Sequence, residues 1–186
     1  MGVDPGDEEL MLRYCDGDAG AFDALYRRHR GPLYRYLLRQ AGNAGTAEEL
    51  FQDVWMRVVN SRERYEVRAK FTSWVYAIAH NRLMDFHRAS GRAWFLSHEE
   101  SEAVLETVPA DEIAADLRLD RKRAAERLLS ALSALPDAQR EAFVLQQEGD
   151  LSLDEIAAAT GVSRETAKSR LRYALVKLRA SLRQES

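Results

Sequence analysis

Between Asp150 and Tyr173 the sequence writes two helices around a single glycine, and that pattern restricts everything near it. Ser152 and Glu155 form a Ser-x-x-Glu pair, the signature of a capping box, so a helix can begin at Leu153. Ile156 and Ala157 supply its apolar stripe. Gly161 can take the left-handed conformation that ends a helix. Ser163 can cap a second helix one short turn later. On that helix Ala167, Leu171 and Ala174 recur at three- and four-residue spacing and share an inward face. Arg164, Thr166, Lys168, Ser169, Arg170 and Arg172 remain for the other faces. Two antiparallel helices with a solvated basic face would satisfy part of this pattern. The cap, the glycine and the small residues together favour a helix-turn-helix. In such a motif the first turns of the second helix meet base edges while its flanks meet phosphates.

The rest of the chain also reads as helix. Val, Ile and Thr never cluster in an alternating run, and no hairpin signal separates two strands. Helices are expected over Glu8 to Asp16 and over Ala21 to Arg39, the second bent or split by Pro32. Thr46 and Glu49 look like another capping box, opening a helix to about Asn60 with Leu50, Phe51, Val54, Trp55 and Val58 inward. Ser61 to Lys70 is polar and reads as a loop. A long helix is expected from Thr72 to about Ser90, packed through Trp74, Val75, Ile78, Ala79 and Leu83. After a poorly periodic stretch, helices are expected from Asp116 through Leu132 and from Pro136 to about Gly149.

Charge divides the chain more sharply than its net of -3 suggests. Glu99, Glu100, Glu102, Glu106, Asp111, Glu112, Asp116 and Asp120 stand against Arg118 alone. Further on, Arg164, Lys168, Arg170, Arg172, Lys177, Arg179 and Arg183 stand against Glu165 alone. Two working modules joined by an acidic connector are the natural reading. Cys15 is the only cysteine, which excludes an internal disulfide and a thiolate zinc site and suits a reducing compartment. It reads as a helix-packing residue. The acidic N-terminus is unlike a secretory signal, and no apolar run approaches a membrane span.

Little in the sequence suggests catalysis. His29, His80, His87 and His98 are scattered, with no His-Glu-x-x-His, and no glycine-rich phosphate loop is present. No metal, no cofactor and no catalytic residue are expected. The stretch Arg64 to Arg88 is different. It interleaves Tyr65, Phe71, Trp74, Tyr76 and Phe86 with Arg64, Arg68, Lys70, Arg82 and Arg88. Aromatics among cations suit single-stranded DNA, where bases stack and phosphates meet charge. Trp74 continues an apolar stripe and reads first as core. Tyr65 to Lys70 precede the helix, where no stripe claims them.

Three stretches together resemble one family. They are Ala47-Glu-Glu-Leu-Phe-Gln-Asp-Val-Trp-Met-Arg57, Phe71-Thr-Ser-Trp-Val-Tyr-Ala-Ile-Ala-His-Asn81, and Leu135-Pro-Asp-Ala-Gln-Arg-Glu-Ala-Phe143 with the helix-turn-helix. In order and spacing they are similar to the bacterial extracytoplasmic-function (ECF) sigma factors, promoter-specificity subunits of RNA polymerase in the sigma-70 family. The resemblance implies an all-α chain of two small helical domains joined by an acidic, flexible linker. Sigma region 2 would occupy residues 1–92, the linker 93–119 and sigma region 4 residues 120–186. It implies that Glu49, Gln52 and Asp53 dock on core RNA polymerase. Tyr65, Arg68, Lys70, Phe71, Asn81, Arg82 and Arg88 would engage the minus-ten element, capturing a base flipped from the melted non-template strand. Arg164, Thr166, Lys168, Ser169, Arg170 and Arg172 would read the minus-thirty-five element as duplex.

The implied protein is a cytoplasmic initiation factor that catalyses nothing alone, enters no membrane, and partners core polymerase, promoter DNA and an anti-sigma factor. This chain has Glu66-Val67-Arg68 where the family often has a glycine. It has Arg172-Tyr173-Ala174-Leu175 where many members alternate basic residues with alanine. Promoter preference is therefore left open. The rival reading is a free-standing helix-turn-helix regulator, with the N-terminal helices as a sensor or dimerisation module. A weaker one is a helical hydrolase with an appended DNA-binding domain.

Overall fold

The computed structural model describes residues 4–91 and 115–184. Among these residues there are eight α-helices, one short 3-10 turn and no strand, as the absence of alternating β-branched runs requires. Most of the acidic connector lies outside the described residues.

α1 (Asp7–Cys15) opens with Asp7, Glu8 and Glu9, whose charges complement the amide end of the helix. α2 (Ala19–Ala41) is capped by Asp18, which accepts from the amides of Gly20 and Ala21 at 2.9 and 3.2 Å. It closes on Gly42 at φ 78°, a left-handed residue that glycine adopts freely. Pro32 does not split it. Leu25 before the proline and Leu33, Tyr36 and Leu37 after it are fully buried, and packing on both sides holds one continuous helix despite the lost backbone hydrogen bond.

α3 (Ala44–Asn60) starts earlier than its Thr46–Glu49 pair suggests. The N-cap is Asn43, whose side-chain Oδ1 accepts from the Thr46 amide at 2.8 Å. That amide lies inside the first turn, so no box forms at Thr46. A 3-10 turn at Arg62–Arg64 leads to α4 (Phe71–Ala89). α5 (Ala115–Ser133) and α6 (Asp137–Gly149) meet at Leu135-Pro136. α7 (Leu153–Thr160) has the full Ser152–Glu155 capping box and ends on Gly161 in the left-handed region. α8 (Arg164–Gln184) is capped by Ser163, whose hydroxyl accepts from the Thr166 amide at 3.1 Å.

α1 to α4 pack together around Leu25, Leu37, Leu50, Val54, Val75 and Leu83. α5 packs on α8 through Leu132, Ala174 and Leu178, with Leu135, just before α6, and Phe143 of α6 in the same cluster. The two sets of helices also touch, α2 against α6 and α4 against α7, so one apolar cluster runs through both. Gly149 is part of that join: a Cβ there would lie 2.8 Å from the Tyr76 ring.

Candidate nucleic-acid and partner interfaces

The chain between α3 and α4 folds into a cleft of about 410 Å³ lined by Ser61, Arg64, Tyr65, Glu66, Arg68, Ala69 and Trp74. Its wall is aromatic. The Tyr65 and Trp74 rings meet edge to face, centroids 4.9 Å apart. Burial pushes the Tyr65 phenol up to about 12, with help from the nearby carboxylate of Glu8. The phenol is therefore a neutral hydrogen-bond group at physiological pH. Arg64 and Arg68 stand exposed at the rim, Arg68 paired to Glu66. A cleft with ring walls and cations at its mouth can stack a base and hold the phosphates beside it.

Two sequence assignments change here. Trp74 is only partly buried and forms part of the cleft, so it serves core and surface together. Phe71 is fully buried between Trp74 and His29, with ring centroids 5.8 and 5.2 Å away. No base can reach it in this arrangement; it anchors the loop. Its place in the apolar stripe of α4 was the available signal.

Further along α4, Asn81 is exposed on the surface. Arg82 is half-buried and paired with Asp53 of α3, with Asp85 3.5 Å from its other nitrogen. Arg88 also pairs with Asp85, and Arg57 lies 3.8 Å from it. Glu49 and Gln52 are exposed on α3. Met56, 57 % exposed, follows on the same face at helical spacing from Gln52 and Asp53. The sequence reading passed over it, although a methionine outside the apolar stripe is a useful signal for an adaptable contact surface.

On α8 the named residues fall into adjoining stripes. Arg164, Lys168 and Arg172 recur every four residues and are exposed; Thr166 and Arg170 lie beside them, partly covered, as is Ser169. Arg164 reaches Asp154 at 2.9 Å. The Thr166 hydroxyl sits 2.9 Å from that of Ser163. The Arg172 guanidinium lies over the Tyr173 ring, 5.0 Å from its centroid.

The join between the two helical sets is polar in a way no local pattern announces. Tyr36 donates to Glu141 at 2.7 Å, and His80 Nδ1 meets the same oxygen at 2.7 Å. The other Glu141 oxygen is buried without a partner, although the residue is only 1 % exposed. Burial raises the Tyr36 phenol well above its ordinary value, and the Glu141 charge adds to this. Arg35 grips Glu148 with two nitrogens at 2.7 to 2.9 Å. Lys70 reaches Glu155, in the capping box of α7, at 3.2 Å.

Among the described residues no group of three or more His, Cys, Asp or Glu side chains could hold a metal ion. Among them, too, no helix is long and apolar enough to cross a membrane.

Comparison with known proteins agrees with the geometry. The family model Sigma-70 region 2 matches residues 25–93, and the model Sigma-70, region 4 matches residues 131–180. The chain is 33% identical over 172 residues to the RNA polymerase sigma factor CarQ of Myxococcus xanthus, covering 92% of this chain and 95% of CarQ. It is 32% identical over 189 residues to the ECF RNA polymerase sigma factor SigE of Mycolicibacterium smegmatis, covering 99% of this chain and 72% of SigE. Its fold is similar to that of CnrH, solved in complex with the cytosolic domain of CnrY, with a TM-score of 0.67 and 23% identity over 97% of this chain and 99% of that one. It is likewise similar to the sigma factor RpoE from Bartonella quintana, solved with the anti-sigma factor NepR, with a TM-score of 0.67 and 24% identity over 87% of this chain and 96% of that one.

Proposed function

From the premise that this chain belongs to the ECF sigma factors of the sigma-70 family, and is a transcription initiation factor of that type, we propose which of its surfaces do the work. Region 2 is assigned to residues 1–92 and region 4 to residues 120–186. Glu49, Gln52 and Asp53, extended by Met56, dock on core RNA polymerase. Tyr65, with Trp74 behind it, receives a base flipped from the melted non-template strand. Arg68, Lys70, Asn81, Arg82 and Arg88 follow the strand beside it. Arg164, Thr166, Lys168, Ser169, Arg170 and Arg172 read the minus-thirty-five duplex. The chain acts in the cytoplasm and catalyses nothing alone.

The observation that carries this reading is the cleft. Two ring walls, two rim arginines and a docking face on the adjoining α3 belong to one module. Flipping a base costs a few kcal/mol of unstacking, which ring contact and neighbouring cations can offset. A free-standing duplex reader has no use for such a cleft.

The two promoter elements lie about 25 base pairs apart, roughly 85 Å at about 3.4 Å per pair. With α4 packed on α7, and Lys70 held by Glu155, both elements cannot be engaged together. The two modules must part on the promoter. Two similar folds were solved with partners, one of them an anti-sigma factor, and we assign this chain an anti-sigma partner of its own.

Binding of the purified chain to bacterial core RNA polymerase tests the reading. A Gln52→Ala, Met56→Ala double variant leaves the Asp53–Arg82 pair intact and should weaken binding about tenfold or more, the effect of losing a central contact of about 1.4 kcal/mol or more. Failure of the folded wild-type chain to bind polymerase, with tight duplex binding on its own, would establish the free-standing regulator instead.

A further inference from the structure

α1 has no role in the function assigned so far, yet it touches the cleft loop at both ends. α4 begins without a side-chain cap of its own, because its N-cap residue is Lys70. Its first amide, that of Phe71, donates instead to Glu8 Oε1 at 2.7 Å, across 63 residues of chain. At the other end of the loop the Cys15 thiol donates to the Arg62 carbonyl at 2.8 Å. The Arg62 guanidinium also lies over the Tyr14 ring, 5.8 Å from its centroid. Glu8 and Cys15 are seven residues apart, almost two helical turns, so they project from the same side of α1.

The helix itself is firmly seated. Leu10 and Met11 are buried. Asp7 is held by Arg28 at 2.7 Å and by His29 at 2.6 Å, both on α2. Between the two ties lies Tyr65, whose hydroxyl is buried without a partner.

We infer that α1 is a splint for the cleft loop, and that Glu8 is a positioning residue that sets the base preference of the Tyr65–Trp74 cleft. This rests on the reading of that cleft as the site of base capture. The physical reason is preorganisation. A loop whose two ends are fixed presents its rings in one geometry, and less ordering is left for the moment of binding. Losing the Glu8 bond leaves the Phe71 amide uncapped and loosens the turn before the buried Phe71 ring, so Tyr65 gains freedom relative to Trp74, and a cleft of variable width discriminates poorly between bases. Cys15 and Tyr14 hold the opposite end, so loss of Glu8 loosens the loop without unfolding it.

The test uses holoenzyme assembled from the full chain and bacterial core RNA polymerase, with a pool of short single-stranded DNA randomised at every position as the probe. The wild-type holoenzyme should enrich particular bases at one position, and Tyr65→Ala should erase that enrichment. Glu8→Ala should reduce it about fivefold, the factor that loss of an ordinary helix cap produces in an ordering equilibrium. Glu8→Gln keeps an oxygen to accept the Phe71 amide and should restore it. Polymerase binding and duplex binding should be unchanged in both.

Enrichment retained in Glu8→Ala, while Tyr65→Ala loses it, would overturn the splint and leave base capture standing. So would equal weakening of every oligonucleotide, which marks a merely structural role. No enrichment by a wild-type holoenzyme that assembles would remove the base-capture reading and the splint with it.

Discussion

Leu25, Leu33, Leu37, Val54, Val58, Val75 and Leu83 inside the α1–α4 bundle are all apolar and all fully buried. The join between that bundle and α5–α8 is buried too, but Tyr36, His80, Glu141, Gln40 and Arg140 cross it, with Arg35–Glu148 and Lys70–Glu155 at its margins. The first set loses its stabilisation only by unfolding. The join also carries part of the apolar cluster that runs through both sets of helices, Tyr76, Leu145 and Ile156 among it, but water can satisfy much of the polar set once the surfaces part, so separation costs apolar burial while leaving few orphaned polar groups. Parting of the two modules, proposed above for the promoter-bound state, would draw on this division.

The largest effect should come from the apolar interior. Leu25→Ala is expected to lower the unfolding free energy by about 2–5 kcal/mol, the range for a large-to-small change in a closed core. Urea unfolding followed by circular dichroism measures it. The join should respond less and differently. Glu141→Ala leaves Tyr36 and His80 without their shared acceptor, at a cost of about 1–3 kcal/mol. That cost should fall on closure, seen as a larger radius of gyration in solution scattering with helix content preserved. If Glu141→Ala instead melts the chain as Leu25→Ala does, the two regions are one core and the contrast fails.

The same contrast explains what the sequence could reveal. The helix-turn-helix was legible because its determinants are local: Ser152 bonds Glu155, Ser163 caps α8, and Gly161 takes a positive φ, all within one or two turns. The apolar stripes of α3 and α4 were legible for the same reason of periodicity. Pro32 argued for a bend or a split, and long-range packing overruled the split. In the sequence Glu8 stood out as the start of an expected helix in an acidic N-terminus. Its partner, the Phe71 amide, lies 63 residues away, and no spacing rule reaches that far. Glu141 sat unremarked within the stretch that carried the family resemblance, since Tyr36 and His80 are 105 and 61 residues distant. Periodicity alone placed Lys168 on an outer face of its helix, whereas Asn81 was named from the family resemblance; both are exposed. Phe71 stood among the DNA-contact candidates although its place in the apolar stripe of α4 already marked it as core, and its burial decides between the two.

The smallest effect offers the finest test of whether the join is closed in solution. Burial pushes the Glu155 carboxyl up, but the amide and hydroxyl of Ser152, the Lys70 ammonium and Ser73 outweigh it and bring it down to about 2 from the ordinary 4.5. A depressed folded-state value means the carboxylate favours the folded state. Its contribution is complete above pH 4.5 and fades as pH falls from there toward 2. The Ser152 contacts belong to α7 alone, whereas Lys70 comes from the loop before α4 and reaches Glu155 only across the join. Lys70→Ala should therefore raise the Glu155 value yet leave it below 4.5, which a carboxyl-carbon NMR titration resolves. A titration unmoved by the substitution would mean that Lys70 and Glu155 are apart in solution, as open modules require. A shift reversed in the Leu25→Ala background would mean that closure depends on the apolar interior, and that the two regions are less separable than their chemistry implies.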